Sequence, residues 1–214
     1  MPPRPGEVDG RVAVEFARPR SATDDLQGLL RAQLFLGLVG PLGADLDLPF
    51  LLIRDAEGTS AGLGNLSLGL KCRFFEGAGI GLALGAALIL PTASLSRTLD
   101  EERQVELELS LGWAIWLSER FSAQGNFGYG RALVSGEQEL FQELSIAVAL
   151  PLGLRGFVES LLNVEPKTST VELSLGPGLK LDLGEDAFVA LGVVAGITDA
   201  AQPLRIIAQV QRGF

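Results

Sequence analysis

Histidine is absent from all 214 residues, and cysteine occurs once, at Cys72. Without an imidazole there is no Ser-His-Asp or Cys-His nucleophilic site, no ordinary His-containing zinc site and no His-dependent phospholipase chemistry. A single cysteine cannot close an intrachain disulfide. Long apolar runs are missing as well. A membrane-spanning helix needs about 20 predominantly apolar residues, and the longest apolar stretch, Ala78 to Pro91, is interrupted by Gly79, Gly81 and Gly85. Each of those glycines weakens a helix by about 1 kcal/mol relative to Ala. Also lacking is a charged-then-apolar secretory leader in Met1 to Gly10, so a secreted reading requires a leader already removed or a start set differently. Net positive charge is missing too. The net charge is −9 and the acidity is spread along the chain, which argues against nucleic acid as a partner.

What is present is hydrophobic and glycine-rich. Hydrophobic residues make up 47% of the chain and glycine contributes 27 residues, while the mean hydropathy is +0.32. Such a chain with no spanning helix is either a large buried core or a membrane barrel.

Apolar and polar residues alternate with period two in segment after segment, the signature of a strand with two unlike faces. In Gln104 to Ile115, the residues Val105, Leu107, Leu109, Leu111, Trp113 and Ile115 share one face. Gln104, Glu106, Glu108, Ser110, Gly112 and Ala114 share the other. The same division separates Leu66, Leu68, Leu70, Cys72 and Phe74 from Asn65, Ser67, Gly69, Lys71 and Arg73. It recurs in 28–39, 43–53, 169–182 and 203–214. The pattern predicts about twelve strands, near 11–17, 28–39, 43–53, 62–75, 78–91, 103–116, 119–132, 137–150, 154–163, 169–182, 186–197 and 203–214. Most have the roughly 10 residues of a tilted bilayer crossing. Short turns (Val39–Gly43, Glu76-Gly77, Leu117-Ser118, Pro151–Gly153, Leu183–Glu185) alternate with longer polar connections (Pro19–Gln27, Arg54–Ala61, Ser94–Glu102, Val134–Gly136, Val164–Ser169, Thr198–Gln202). That alternation is how outer-membrane barrels divide periplasmic turns from external loops. The expected architecture is all-β: a closed antiparallel up-and-down transmembrane barrel over residues 11–214, preceded by a tail, 1–10.

Parity alone does not say which face meets water, because a soluble sandwich and a membrane barrel alternate alike. Two features favour the membrane. The polar face is rich in small residues, as in Gly79, Gly81, Ala83, Gly85 and Ala87. The aromatics fall in two groups: Phe74, Phe75, Trp113, Trp116, Phe121 and Phe214 near the short turns or the terminus, and Phe16, Phe50, Phe127 and Tyr129 near the longer loops. Two interfacial girdles would look like this. The lumen would then hold charges of both signs: Arg31, Lys71, Arg73, Arg120, Arg155, Lys180 and Arg205 with Asp45, Asp47, Glu106, Glu108, Glu143, Glu159, Glu172 and Asp182. These either line a polar path or form a solvated network that only satisfies itself. No catalytic, metal or cofactor site is expected. The carboxylate pair Glu106 and Glu108 belongs to a wet polar face, and the glycines of 62–67 lack a P-loop ending.

The stretch Gly62-Leu63-Gly64-Asn65-Leu66-Ser67-Leu68-Gly69-Leu70-Lys71-Cys72-Arg73, followed by Leu90-Pro91-Thr92, resembles the outer-membrane family labelled "MetA-pathway of phenol degradation". Asn65 stands where Asp is usual, Cys72 where Tyr is usual, and Ala93 where Gly commonly follows. The resemblance covers residues 28 to 214. It implies an outer-membrane transporter of a Gram-negative bacterium, for small hydrophobic or aromatic compounds, with the lipid bilayer and a small-molecule solute as partners. The terminal Phe214 matches the signal read by the outer-membrane assembly machinery, although Arg212 occupies a position usually apolar or aromatic. Alternatives are a non-conducting structural barrel with partner-binding loops, and a soluble β-barrel binding an apolar ligand.

Overall fold

The computed structural model describes residues 5–18, 26–55, 58–94, 104–184 and 187–213. The strands are β1 (Val8–Arg18), β2 (Leu26–Gly37), β3 (Leu42–Asp55), β4 (Gly58–Leu63), β5 (Leu66–Gly77), β6 (Ile80–Leu90), β7 (Glu106–Trp116), β8 (Phe121–Ala132), β9 (Gln138–Ala149), β10 (Leu154–Glu165), β11 (Thr170–Asp182), β12 (Ala187–Gly196) and β13 (Leu204–Gly213). From β5 onward each strand pairs antiparallel with the next, and β1 pairs with both β2 and β13, which closes the sheet on itself. β1 begins at Val8, inside the stretch expected to be a tail.

Thirteen strands make a twelve-stranded barrel because β4 and β5 are one wall strand broken at Gly64-Asn65. Both pair with β3, at Phe50↔Leu63 and at Asp47↔Ser67 respectively, so Gly64, Asn65 and Leu66 oppose only Leu48 and Pro49. This is a bulge, and it sits beside a proline that has no N–H to give the ladder. The chain leaving β6 ties it down. The Leu66 N–H donates to Thr92 Oγ1 (2.8 Å), and that hydroxyl donates to the Gly64 carbonyl (3.1 Å). The Ala93 N–H donates to Asn65 Oδ1 (3.2 Å), and the Leu63 N–H to Ser94 Oγ (2.9 Å). The two sequence motifs, Gly-Leu-Gly-Asn-Leu and Leu-Pro-Thr, are therefore the two halves of one joint.

A second bulge places Arg73 opposite Ala83 and Phe75 opposite Leu82. The extra residue, Phe74, lets two consecutive rings face outward, 52% and 46% exposed. Between β5 and β6 the turn is Ala78-Gly79, both at positive φ (51° and 75°), the two-residue geometry whose twist matches a hairpin.

Which face is which is decided by burial. Among the described residues the buried apolar set is only Ala17, Ala83, Ala132, Val194 and Ala201, whereas Leu70, Leu84, Leu109, Leu179 and Leu191 are each half or more exposed. Among the described residues 43 large hydrophobic side chains are exposed, most of them outward on the strands and a few in the turns. In water each would forfeit on the order of 1 kcal/mol of burial, a sum well beyond the roughly 5–15 kcal/mol by which domains are stable. In a bilayer the same face costs nothing. A soluble ligand-binder does not fit this arrangement: among the described residues there is no sandwich core, and the apolar parity points outward.

Candidate functional site: the barrel lumen

Because paired residues of an antiparallel sheet share a face, the register assigns the inward set strand by strand. On β7 and β8 the pairs Glu108↔Gly130, Ser110↔Gly128 and Gly112↔Asn126 face in, while Leu109↔Tyr129 and Leu111↔Phe127 face out. Opposite them, Arg31, Gln33 and Asp47 face in beside the outward Leu30, Leu34, Leu46 and Leu48.

The inward side chains line two cavities stacked along the barrel. The upper one, toward the longer loops, has a volume of about 820 Å³ and includes Asn65, Glu106, Glu108, Glu139, Phe141 and Glu172. The lower one, of about 880 Å³, includes Arg11, Glu15, Trp116, Gln124 and Glu159. Both are lined by Arg31, Gln33, Lys71, Ser110, Asn126, Glu143, Leu161 and Arg205, which form a belt between them. A smaller rim cavity of about 270 Å³ lies at the loop end, among Glu106, Glu137, Glu139, Glu165 and Glu172. There Lys167 Nζ donates to Glu137 (3.1 Å), and this bond, with that from Ser135, holds the Glu137 carboxyl below its ordinary range.

Ten of the charged residues picked out from sequence line the two chambers: Arg31, Asp45, Asp47, Lys71, Glu106, Glu108, Glu143, Glu159, Glu172 and Arg205. Several are paired along their own wall, Arg31 with Asp47 (3.3 Å), Lys71 with Asp45 (3.3 Å) and Arg205 with Glu15 (3.4 Å). Lys71 Nζ also stands 5.3 Å from the Phe35 ring centroid, and Gln33 donates to Asp47 (3.2 Å). Three others lie apart, near the short-turn mouth. Arg73 pairs with Glu76 (2.9 Å). Arg155 and Lys180 share Asp182 (2.8 and 3.3 Å), with Lys180 Nζ 3.8 Å from the Phe188 ring centroid. Arg120 is not in the lumen: it sits exposed in the β7–β8 turn, where the strand expected at 119–132 has not yet begun. Trp116, expected in the outer girdle, pairs with Ser122 on the inward parity and lines the lower chamber. Phe214 lies outside the described residues.

Further charged residues share the inward parity. Arg11 and Glu15 share the parity opposite Val12, Val14 and Phe16, and Glu139 lies four residues before Glu143 on the same face. Arg11 donates to Gln209 across β1 and β13. Phe141 and Phe157 also face inward, where an aromatic interrupts the alternation and the sequence pattern gives no signal for it. Their rings lie flat on glycines: a Cβ on Gly128 would come within 2.1 Å of Phe141 Cζ, and one on Gly178 within 2.1 Å of Phe157 Cζ. Among the described residues no group of three or more His, Cys, Asp or Glu side chains could hold a metal ion.

A closed twelve-stranded barrel with an apolar exterior and a polar interior is the architecture of an outer-membrane protein. The sequence profile of the family described as "Putative MetA-pathway of phenol degradation" matches residues 4–204. The chain belongs to this family. Its fold is similar to that of the COG4313 outer membrane channel from Pseudomonas putida F1. The TM-score is 0.76 at 14% identity, over 99% of this chain and 97% of that one. It is also similar to the NanC porin (TM-score 0.64, 7% identity, 97% and 98% covered). The CymD monoaromatic hydrocarbon channel follows (TM-score 0.54, 8% identity, 99% and 88% covered). No curated protein matches the sequence. The family member described here thus has the fold of outer-membrane channels and porins.

Proposed function

We propose that this chain is a passive channel of the outer membrane for small molecules, with the inward charges acting as its filter. The observation that carries the reading is the belt shared by the two chambers, which makes one polar path of two cavities. Volumes of this size, lined by charge and bounded by a lipid-facing wall, suit solute passage better than catalysis or storage of an apolar ligand. The experiment is conductance in planar bilayers together with swelling of liposomes in small sugars. Stepwise conductance and swelling are expected. A folded barrel that gives neither would overturn the channel and leave a structural barrel with partner-binding loops.

A second reading, passage of small aromatic compounds, is supported by the Phe141 and Phe157 rings laid against the wall and by the fold shared with a monoaromatic hydrocarbon channel. Uptake of labelled phenol into proteoliposomes, with and without Phe141→Ala and Phe157→Ala, separates it from the first. We also assign the approach to the outer-membrane assembly machinery to the closing strand β13 and Phe214, on the strength of the terminal aromatic alone.

A further inference from the structure

The charges of the lumen are separated by wall. On the side built by β1, β2, β3, β5 and β13, three basic groups (Arg31, Lys71 and Arg205) each have a carboxylate of the same wall within 3.4 Å. Their charge is largely cancelled where it stands. Arg11, also on this side, faces Glu143 and Glu159 across the lumen, on strands that do not pair with β1.

The facing wall, β7 to β11, is different. Glu106, Glu108 and Glu139 stand within electrostatic reach of one another. Among the described residues no cation lies within 4 Å of Glu106 or Glu108, and the opposing charge that Glu108 feels is Arg31 of the other wall. The basic residues of β7 to β11 on the inward parity are Arg155 and Lys180, both down at the short-turn mouth and shared with Asp182. Arg131 of β8 lies on the outward parity and reaches only the rim cavity, where the carboxylates outnumber it. Seven carboxylates and three basic groups line the upper chamber, whereas three carboxylates and four basic groups line the lower. The uncompensated charge is therefore negative, confined to one wall and concentrated at the loop end.

From this we infer that the lumen is polarised across its axis and favours solutes bearing a positive group, with Glu106, Glu108 and Glu139 as the specificity-determining residues. A cation entering from the loop side meets an attractive wall, and the opposite wall, its basic groups already paired, does not cancel that field. The same wall repels an anion over the whole upper chamber. A low-dielectric shell around the path strengthens both effects. The selected class is small organic cations, of a size to pass the belt.

This inference rests on the channel reading above, and the test keeps the two apart. Reversal potentials are measured in a potassium chloride gradient, and liposome swelling is compared in glucosamine, glucose and gluconate, which share a size and differ in charge. We expect about a tenfold preference for potassium over chloride and swelling fastest in glucosamine and slowest in gluconate. Glu106→Gln, Glu108→Gln and Glu139→Gln together should bring the preference toward unity. Glu108→Lys alone should lower it in the same direction, which covers a triple variant that fails to fold. Conducting pores that pass gluconate as fast as glucosamine, or whose reversal potential ignores both variants, would overturn the polarised lumen and leave the channel standing. Absence of any conductance would remove both.

Discussion

Leu109 and Glu108 are neighbours in β7 with opposite surroundings. Leu109 is half exposed on the outer wall between Ala86 and Tyr129, and Glu108 faces inward between Ala87 and Gly130. An arginine on the outer wall must leave its charge in hydrocarbon or snorkel to the interface. Leu109→Arg is expected to cost about 2–4 kcal/mol toward the midplane, read as urea-induced unfolding from lipid vesicles. Glu108→Gln removes a charge from a wet lumen and should cost less than about 1 kcal/mol. Equal costs would mean that the assignment of inward and outward faces is wrong. The inward phenylalanines make a related point about size, since each ring uses the space that a glycine frees on a neighbouring strand.

At the scale of elements, the wall strand formed by β4 and β5 keeps one backbone bond to β3 at its break, from the Gly64 N–H to the Pro49 carbonyl (2.8 Å), and side chains hold the rest. Thr92 accepts from the Leu66 N–H and donates to the Gly64 carbonyl, so one hydroxyl substitutes for the pairing that Pro49 denies. Thr92→Val keeps the shape and removes both bonds. It is expected to destabilise by about 1–2 kcal/mol, with Thr92→Ser recovering most of the loss, by the same unfolding measurement. Valine and serine variants of equal stability would show that solvent satisfies the bulge without Thr92. Both outward rings at Phe74 and Phe75 depend on a second one-residue shift, so bulges set which aromatics reach the interface as much as alternation does.

At the scale of the molecule, stability comes from closure. With β1 paired to β13 at Val12↔Val210 and to β2 at Val12↔Ala32, the wall closes on itself, so a stave cannot leave without breaking the ladders on both its sides. Among the described residues only β4, beyond the break, pairs on one side, with β3. The refolded protein should therefore run faster unheated than boiled on an SDS gel, with β-type circular dichroism in detergent. Identical mobilities would sink the closed barrel. The short-turn end is compact because its connections are tight turns such as Ala78-Gly79, whereas the acidic rim lies at the other end.

The local order of this protein was legible in the sequence alone. Period-two alternation marked the strands, and glycines with prolines marked the turns. The wall strand count came out as twelve because each crossing needs its own apolar run. Ten inward charges were also readable, since side-chain direction follows strictly from parity once a strand is regular. Tertiary structure decided what parity leaves symmetric. The outward direction of the leucine face follows from the near-absence of a buried apolar core, a property of the closed sheet and of no single strand. The bulges at Gly64-Asn65 and Phe74 arise from register against β3 and β6, so a reading along one chain carries straight through them. Arg120 left the lumen because β8 starts at Phe121. The facing of Arg11 and Glu143, 132 residues apart in sequence, exists only because closure curves the sheet until its far strands look at each other across water.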